Sequence, residues 1–434
     1  NGATPQDPVS ANTVFKMGST DVTVAFEEKL KADAEVTEAL PETYDTSIRV
    51  KKLKFESSKL TLKKSDKATK NTATPVAEGT APEVVYVTEN RDIVAVDKSG
   101  NFYPMGAGEA TVTAYCGNKT AKCKVTVVSY TTDVAVRDTT DAVVNDTTIE
   151  MKGGEQAFLR VSFEPYDSTD SRNIKWKSDN KKVTVKNGII TAKEVKEAVT
   201  AEITASVKAT GAEGGEITKK VKVHVTPVEM PAASGGDKTH TLSVKKSVKM
   251  VTAEGSNKTE LAINIKAKKG ADINAVKLIS VKSTNPDVVS ANIAEQIAAD
   301  GNKGNAKAVI SASKAGTAYI IVTTSADDGK SVNVKRCKVT VSSPATDIRV
   351  ESGSLTVKDN KISMRKGSNG TVEVMLDPEF STDLGKVKLS GSKGIKVKNG
   401  IIYASRVSGE NKPAKLTVRC GKLKKVIEVN VTGK

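Results

Sequence analysis

Short runs of alternating apolar and polar residues recur along the whole chain, and a period of two is the signature of a strand with one face buried. Four of these runs are near copies: Lys124–Val127 (Lys-Val-Thr-Val), Lys222–Val225 (Lys-Val-His-Val), Lys338–Val341 (Lys-Val-Thr-Val) and Glu428–Val431 (Glu-Val-Asn-Val). They are spaced by 98, 116 and 90 residues, a length that fits one small β-sandwich each. The segments they close also open on related runs, at Thr46–Val50, Thr132–Val136, Thr239–Val244 and Thr346–Val350. Self-similarity at this period predicts an array of repeated modules.

The middles repeat as well. Val183–Ala192 and Ile395–Ala404 agree or nearly agree at eight of ten positions, around a shared Val-Lys-Asn-Gly-Ile-Ile. Asn and Gly accept the positive φ of a tight hairpin turn, so each middle predicts two short strands joined directly. Lys98–Asn101 (Lys-Ser-Gly-Asn) gives the first copy the same device, and the first closing hairpin turns at Gly117-Asn118. The third copy is expanded between Asn292 and Lys307, where the Ala-rich Ile293–Ala299 predicts a helical turn. Helical periodicity longer than ten residues falls only on Glu27–Leu40.

Three stretches carry a family resemblance. These are Trp176-x-Ser178-Asp179-Asn180 continuing through Val183, Val185, Gly188, Ile190 and Ala192, then Ser283–Val289, and Lys314–Val322. They resemble the bacterial immunoglobulin-like domain family, group 2, over residues 47–434. The resemblance implies an all-β chain of tandem immunoglobulin-like β-sandwich domains with Greek-key topology. Such modules occur in surface proteins of the intimin and invasin type and in secreted Gram-positive proteins. Two departures stand out: only the second copy has the Trp, and the fourth reads Leu389-Ser-Gly-Ser there. Residues 14–26 resemble the terminal strand of repeats found beside leucine-rich domains in internalin-like proteins.

The expected division is an acidic leader at 1–46, the possible tail of a preceding repeat, sandwiches at 47–130 and 131–228, a flexible linker at 229–238, a sandwich with the expanded loop at 239–344, and a sandwich at 345–434. Glu229–Lys238 contains Gly and Pro, whereas Tyr130–Thr131 and Ser343–Ala345 leave almost no slack. One hinge and two stiff joints follow. Four modules laid end to end make a monomeric rod on the order of 130 Å long.

Charge changes the picture in two ways. The chain carries +16, yet residues 1–46 hold three Lys against nine acidic residues, a balance of −6, so the rest carries +22. Of 67 basic residues, ten are Arg and 57 are Lys. Many Lys fall at alternate strand positions, as at Lys220, Lys222, Lys386 and Lys388. Such rows read first as solvated faces that keep sheets from pairing between molecules, and second as a surface for an anionic cell-wall polymer or glycan. Nucleic acid is not expected, because aromatics are 4% of the chain and base stacking needs them. No run is apolar enough to span a membrane, and the chain reads as a processed segment.

Candidate chemistry is sparse. Trp176 lies on an alternating strand and is expected in the core. His224 sits between Val223 and Val225 and faces outward, His240 lies at a module entry, and no His-based triad can be assembled. Asp138 and Asp141, Asp167 and Asp170, and Asp327 and Asp328 are acidic clusters in expected loops. None has calcium-loop spacing, and Asp in turns commonly accepts from the backbone. No catalytic, cofactor or metal site is assigned. Cys116 and Cys123 flank one turn, and both a disulfide and two free thiols fit the sequence; Cys337 and Cys420 are expected as buried thiols or as thiols awaiting partners that this chain lacks.

The expected function is a non-enzymatic extracellular spacer or adhesion stalk, at the cell surface or in the wall. Two alternatives remain: a module that binds a glycan or host surface protein through Asn292–Lys307, and an accessory region of a secreted polysaccharide-active enzyme.

Overall fold

The computed structural model describes residues 13–17, 20–24, 41, 44–229, 236–326, 329–409 and 412–433. Nearly all regular structure in it is strand, and the chain divides into two compact units, Asn1–Val128 and Ser129–Lys434. The fold is all-β, built as tandem immunoglobulin-like sandwiches.

In the first unit, Thr13–Met17 and Thr20–Val24 form an antiparallel pair. The helical periodicity expected at Glu27–Leu40 lies outside the described residues. A sandwich follows. One sheet orders Lys59–Lys63, Lys119–Val128, Gly108–Cys116 and Val85–Thr88, with the first two strands parallel and the rest antiparallel. The opposing layer holds Thr69–Lys70, Asn101–Pro104 and Val94–Val96, with the pair Lys52–Phe55 and Ala73–Val76 beside them. Alternation in the sequence becomes alternation in burial: along Gly108–Cys116 the buried positions are 108, 110, 112, 114 and 116. Phe55, Tyr86 and Phe102 cluster at ring separations of 6.0 Å, and the Tyr86 hydroxyl accepts from the Ala73 amide at 2.9 Å.

The second unit repeats this plan. Thr148–Lys152 runs parallel to Glu216–Thr226, Ser247–Val251 to Ser331–Ser342, and Lys361–Arg365 to Leu423–Thr432. The buried apolar residues of this unit gather around 136–225, 242–341 and 348–431, as those of the first unit gather around 50–127. Val, Ile and Ala fill these cores where aromatics are scarce, and a fully buried side chain such as Ile190, Ile263 or Ile402 contributes about 1.5–3 kcal/mol. The Asn-Gly turns form as expected, with positive φ at Asn187, Gly188, Asn399 and Gly400. At Gly188 a Cβ would also meet the Leu159 carbonyl at 2.2 Å, so this turn admits only glycine.

The expectation for the third module's expanded segment is corrected. Asn292–Lys307 is neither a loop nor a helical turn: it is the long hairpin of Val289–Asp300 and Lys303–Ala312, turning at Gly301 and Asn302. The Ala-rich composition favours helix weakly, but Lys303–Ala312 is held between two neighbours, Val289–Asp300 and Lys258–Ala267. A ladder on both sides outweighs local propensity. Of the expected flexible linker, 230–235 lie outside the described residues, and Gly236–Thr239 form a single helical turn.

Candidate functional site: contacts between modules

Most residues that the sequence singles out do local structural work. Trp176 is half-buried against the second module's core, and His224 pairs its Nδ1 with Thr200 Oγ1 at 3.2 Å. His240 is fully buried, its Nε2 2.8 Å from Thr324 Oγ1. Lys220, Lys222, Lys386 and Lys388 are exposed, with Lys220 on Glu202 and Lys386 on Asp383. Asp138 accepts from the amides of Thr140 and Ala142. Asp327 and Asp328 lie outside the described residues. The outer half of Val289–Asp300 is an exposed sheet edge, where Glu295 pairs with Lys307 at 3.0 Å.

The cysteines are free and buried. The register sets Cys116 opposite Lys119 and Cys123 opposite Val112, so four residues, roughly 13 Å of strand, separate the two sulfurs' positions. A disulfide spans no more than about 7 Å between Cα atoms, which settles the open choice in favour of thiols. Burial pushes the Cys123 thiol up to about 11 and raises the other three as well.

A repeated clasp holds the chain where it enters the second and fourth modules. In the second, the Ser129 carbonyl accepts from the amide and hydroxyl of Thr169, at 2.6 and 2.9 Å. The Thr131 amide donates to Asp170 Oδ2 at 2.8 Å, and the Thr210 amide reaches the same carboxylate. In the fourth, the Ser343 carbonyl accepts from Ser381 Oγ and from the amide and hydroxyl of Thr382, at 2.9, 2.8 and 3.1 Å. The Ala345 amide approaches Asp383 Oδ2 at 3.3 Å. Both clasps come from one motif, Pro-x-x-Ser-Thr-Asp, at 165–170 and 378–383. The exact repeat was visible in the sequence. Its role was not, because Ser, Thr and Asp in a turn already find local partners.

Within Ser129–Lys434 the modules are not laid end to end, which corrects the expected rod for this part of the chain. The second module touches both others. Toward the third, the Thr317 amide donates to the Gly154 carbonyl at 3.1 Å and Asn285 Nδ2 to Glu155 Oε1 at 2.7 Å. Glu194 accepts from the Tyr319 hydroxyl at 3.0 Å and pairs with Arg336.

Toward the fourth module the contact is pseudo-symmetric. Aligning the two motifs makes Asn187 equivalent to Asn399 and Arg172 equivalent to Gly385. The Arg172 amide donates to the Asn399 carbonyl at 3.0 Å. Reciprocally, Asn187 lies against Gly385, where a Cβ would come within 2.0 Å of its Nδ2. Each Asn-Gly turn therefore rests on the other module's post-clasp turn. Phe158 and Phe380 add a ring contact at 5.7 Å and Arg160 approaches Glu379 at 3.7 Å. Complementary turns and one ring pair favour this folded-back packing.

No protein-family model matches the sequence, and no curated protein matches it either. The chain is similar to several solved structures. The protocadherin GammaB4 extracellular domain is 10% identical at a TM-score of 0.31, with 87% of this chain and 66% of that one covered, just under two thirds of its length. Invasin, described as a bacterial integrin-binding protein, is 13% identical at a TM-score of 0.23, covering 88% of this chain and 79% of that one. Domains 4–9 of the surface layer protein SbsC are 17% identical at a TM-score of 0.18, covering 88% and 66%.

Proposed function

We propose that this chain is a non-enzymatic spacer of an extracellular bacterial surface protein, built from group 2 bacterial immunoglobulin-like modules and acting as a monomer that supports adhesion. The observation that carries this reading is the clasp. The Ser-Thr-Asp motif recurs at two module entries and spends its hydrogen bonds on the incoming backbone. A sequence that commits its repeated polar motif to holding the incoming chain is organised for architecture. Among the described residues no group of three or more His, Cys, Asp or Glu is gathered as a metal site, and no helix is long and apolar enough to cross a membrane. The reading is tested on intact cells that display the protein. Antibody against these modules should bind without permeabilisation, and deleting one module should reduce adhesion without altering ligand affinity in solution. Labelling only after lysis, or hydrolytic activity of the purified chain on wall polysaccharide, would overturn it.

A second reading, direct binding of a glycan or host protein, is favoured by the exposed edge strand Val289–Asp300. A free strand edge offers unpaired backbone groups to a partner. Shortening that hairpin should then abolish capture of the partner while the modules stay folded.

A further inference from the structure

Between the second and fourth modules lies a cleft of about 770 Å³, within the roughly 300–1,000 Å³ usual for small-molecule sites. Its lining includes three of the chain's ten arginines, Arg137, Arg160 and Arg172, and none of its 57 lysines. Chance placement in so Lys-rich a chain would give the reverse. Arginine is the cation that grips planar oxyanions through a rigid fork and stacks on rings. The arginines are also specific to this face: their equivalents in the fourth module are Glu351, Glu373 and Gly385.

Two of the three are occupied. Arg160 pairs with Asp141 at 2.9 Å, and Arg137 lies 3.8 Å from the same carboxylate with its Nε on Ser162 Oγ. Arg172 differs. Its Nη2 donates to the carbonyls of Tyr166 and Ser168, its guanidinium lies 4.3 Å from the Phe163 ring centre, and its Nε is buried with no partner. No carboxylate is hydrogen-bonded to it. Burial holds its pKa below the ordinary arginine value despite the more distant Asp167, Asp170 and Glu373. A cation withdrawn from water without a hydrogen-bonded counter-ion is costly to keep, and an anion in the cleft would supply one.

The rest of the lining suits a polyhydroxylated ligand. Val161, Val372 and Leu389 give an apolar wall, Glu373 offers acceptors for hydroxyls, and Tyr166, 64% exposed, gives a ring face at the rim. We infer that this cleft binds a small carboxylate-bearing sugar, with the carboxylate taken by Arg172 and the hydroxyls facing Glu373. This goes beyond the spacer reading, which needs no ligand here.

The test is calorimetric titration of the whole chain with galacturonate and glucuronate, with glucose, acetate and sulfate alongside. One of the uronates should bind saturably, and Arg172→Met should weaken it at least tenfold. Glu373→Trp, at an exposed lining position, should do the same while leaving Arg172 in place, so a folding defect in the first variant does not decide the outcome. Absence of uronate binding by the natural chain, or undiminished binding by both variants, overturns the inference. Sulfate or acetate binding as tightly as the uronate overturns the sugar assignment by showing a general anion patch.

Discussion

The hydroxyl of Tyr319 donates to Glu194 at 3.0 Å across the boundary between the second and third modules. Arg336 pairs with the same carboxylate and lies 4.9 Å over the Tyr319 ring, so three side chains fix one another. Burial first, and then the Glu194 carboxylate, push the Tyr319 hydroxyl up to about 12. Burial alone would raise Glu194, but the hydrogen bonds from Arg336 and Tyr319 outweigh it and hold the carboxyl below the usual value of 4.5.

A lowered carboxyl pKa contributes stability that is present above the unfolded value and lost as pH falls through the folded one. The contact should therefore be intact at neutral pH and loosen below about 4.5. Glu194→Gln should lower the melting temperature at pH 7, and the gap from the natural chain should narrow steadily on acidification to pH 3. A gap independent of pH would show that the carboxylate charge contributes nothing.

The clasps should be unequal. Asp170 is buried, at 5% exposure, and serves two amides and a hydroxyl, whereas Asp383 is half-buried and reaches Ala345 at 3.3 Å. Removing a buried charged acceptor costs about 1.5–3 kcal/mol. Asp170→Ala should cost that much in denaturant unfolding, and Asp383→Ala clearly less.

Gly385 is the place to open the second and fourth modules without damaging either. Its Cβ position is filled by the Asn187 side chain, so Gly385→Leu should push the two turns apart. Hydrogen exchange should then speed up at the Arg172 amide, which loses the Asn399 carbonyl, while the buried Ile190 amide stays protected.

All four cysteines are predicted to be unreactive in the folded chain, because burial raises their pKa values and keeps the thiolate scarce. A thiol reagent should label none under native conditions and all four after denaturation, and reductant should leave the intact mass unchanged.

How far the sequence could be read depended on how local each cause was. Strands such as Gly108–Cys116 and the Asn-Gly turns at 187–188 and 399–400 were legible because period-two burial and positive φ are written in adjacent residues. The hairpin at Asn292–Lys307 is not legible locally because Ala favours a helix, and the strand that decides the matter, Lys258–Ala267, lies far away in sequence. The contact between modules left no periodic signal at all. It uses equivalent positions that hold different residues, Arg172 in one module and Gly385 in the other, each set against the other module's Asn-Gly turn, and only the fold shows that they correspond.

The parallel pairing of the early strand with the last one has a mechanical consequence. In the second module, Thr148–Lys152 runs alongside Lys222–Thr226 in register, so a pull on the chain's two directions slides these strands past each other lengthwise. All the hydrogen bonds of that ladder are then loaded together in shear, whereas an antiparallel hairpin pulled from its open end would release them one at a time. The same geometry recurs at Ser247–Val251 and Lys361–Arg365. Each module is thus built to resist tension as a single clamp, and its lifetime under load is set by the rate at which that clamp ruptures.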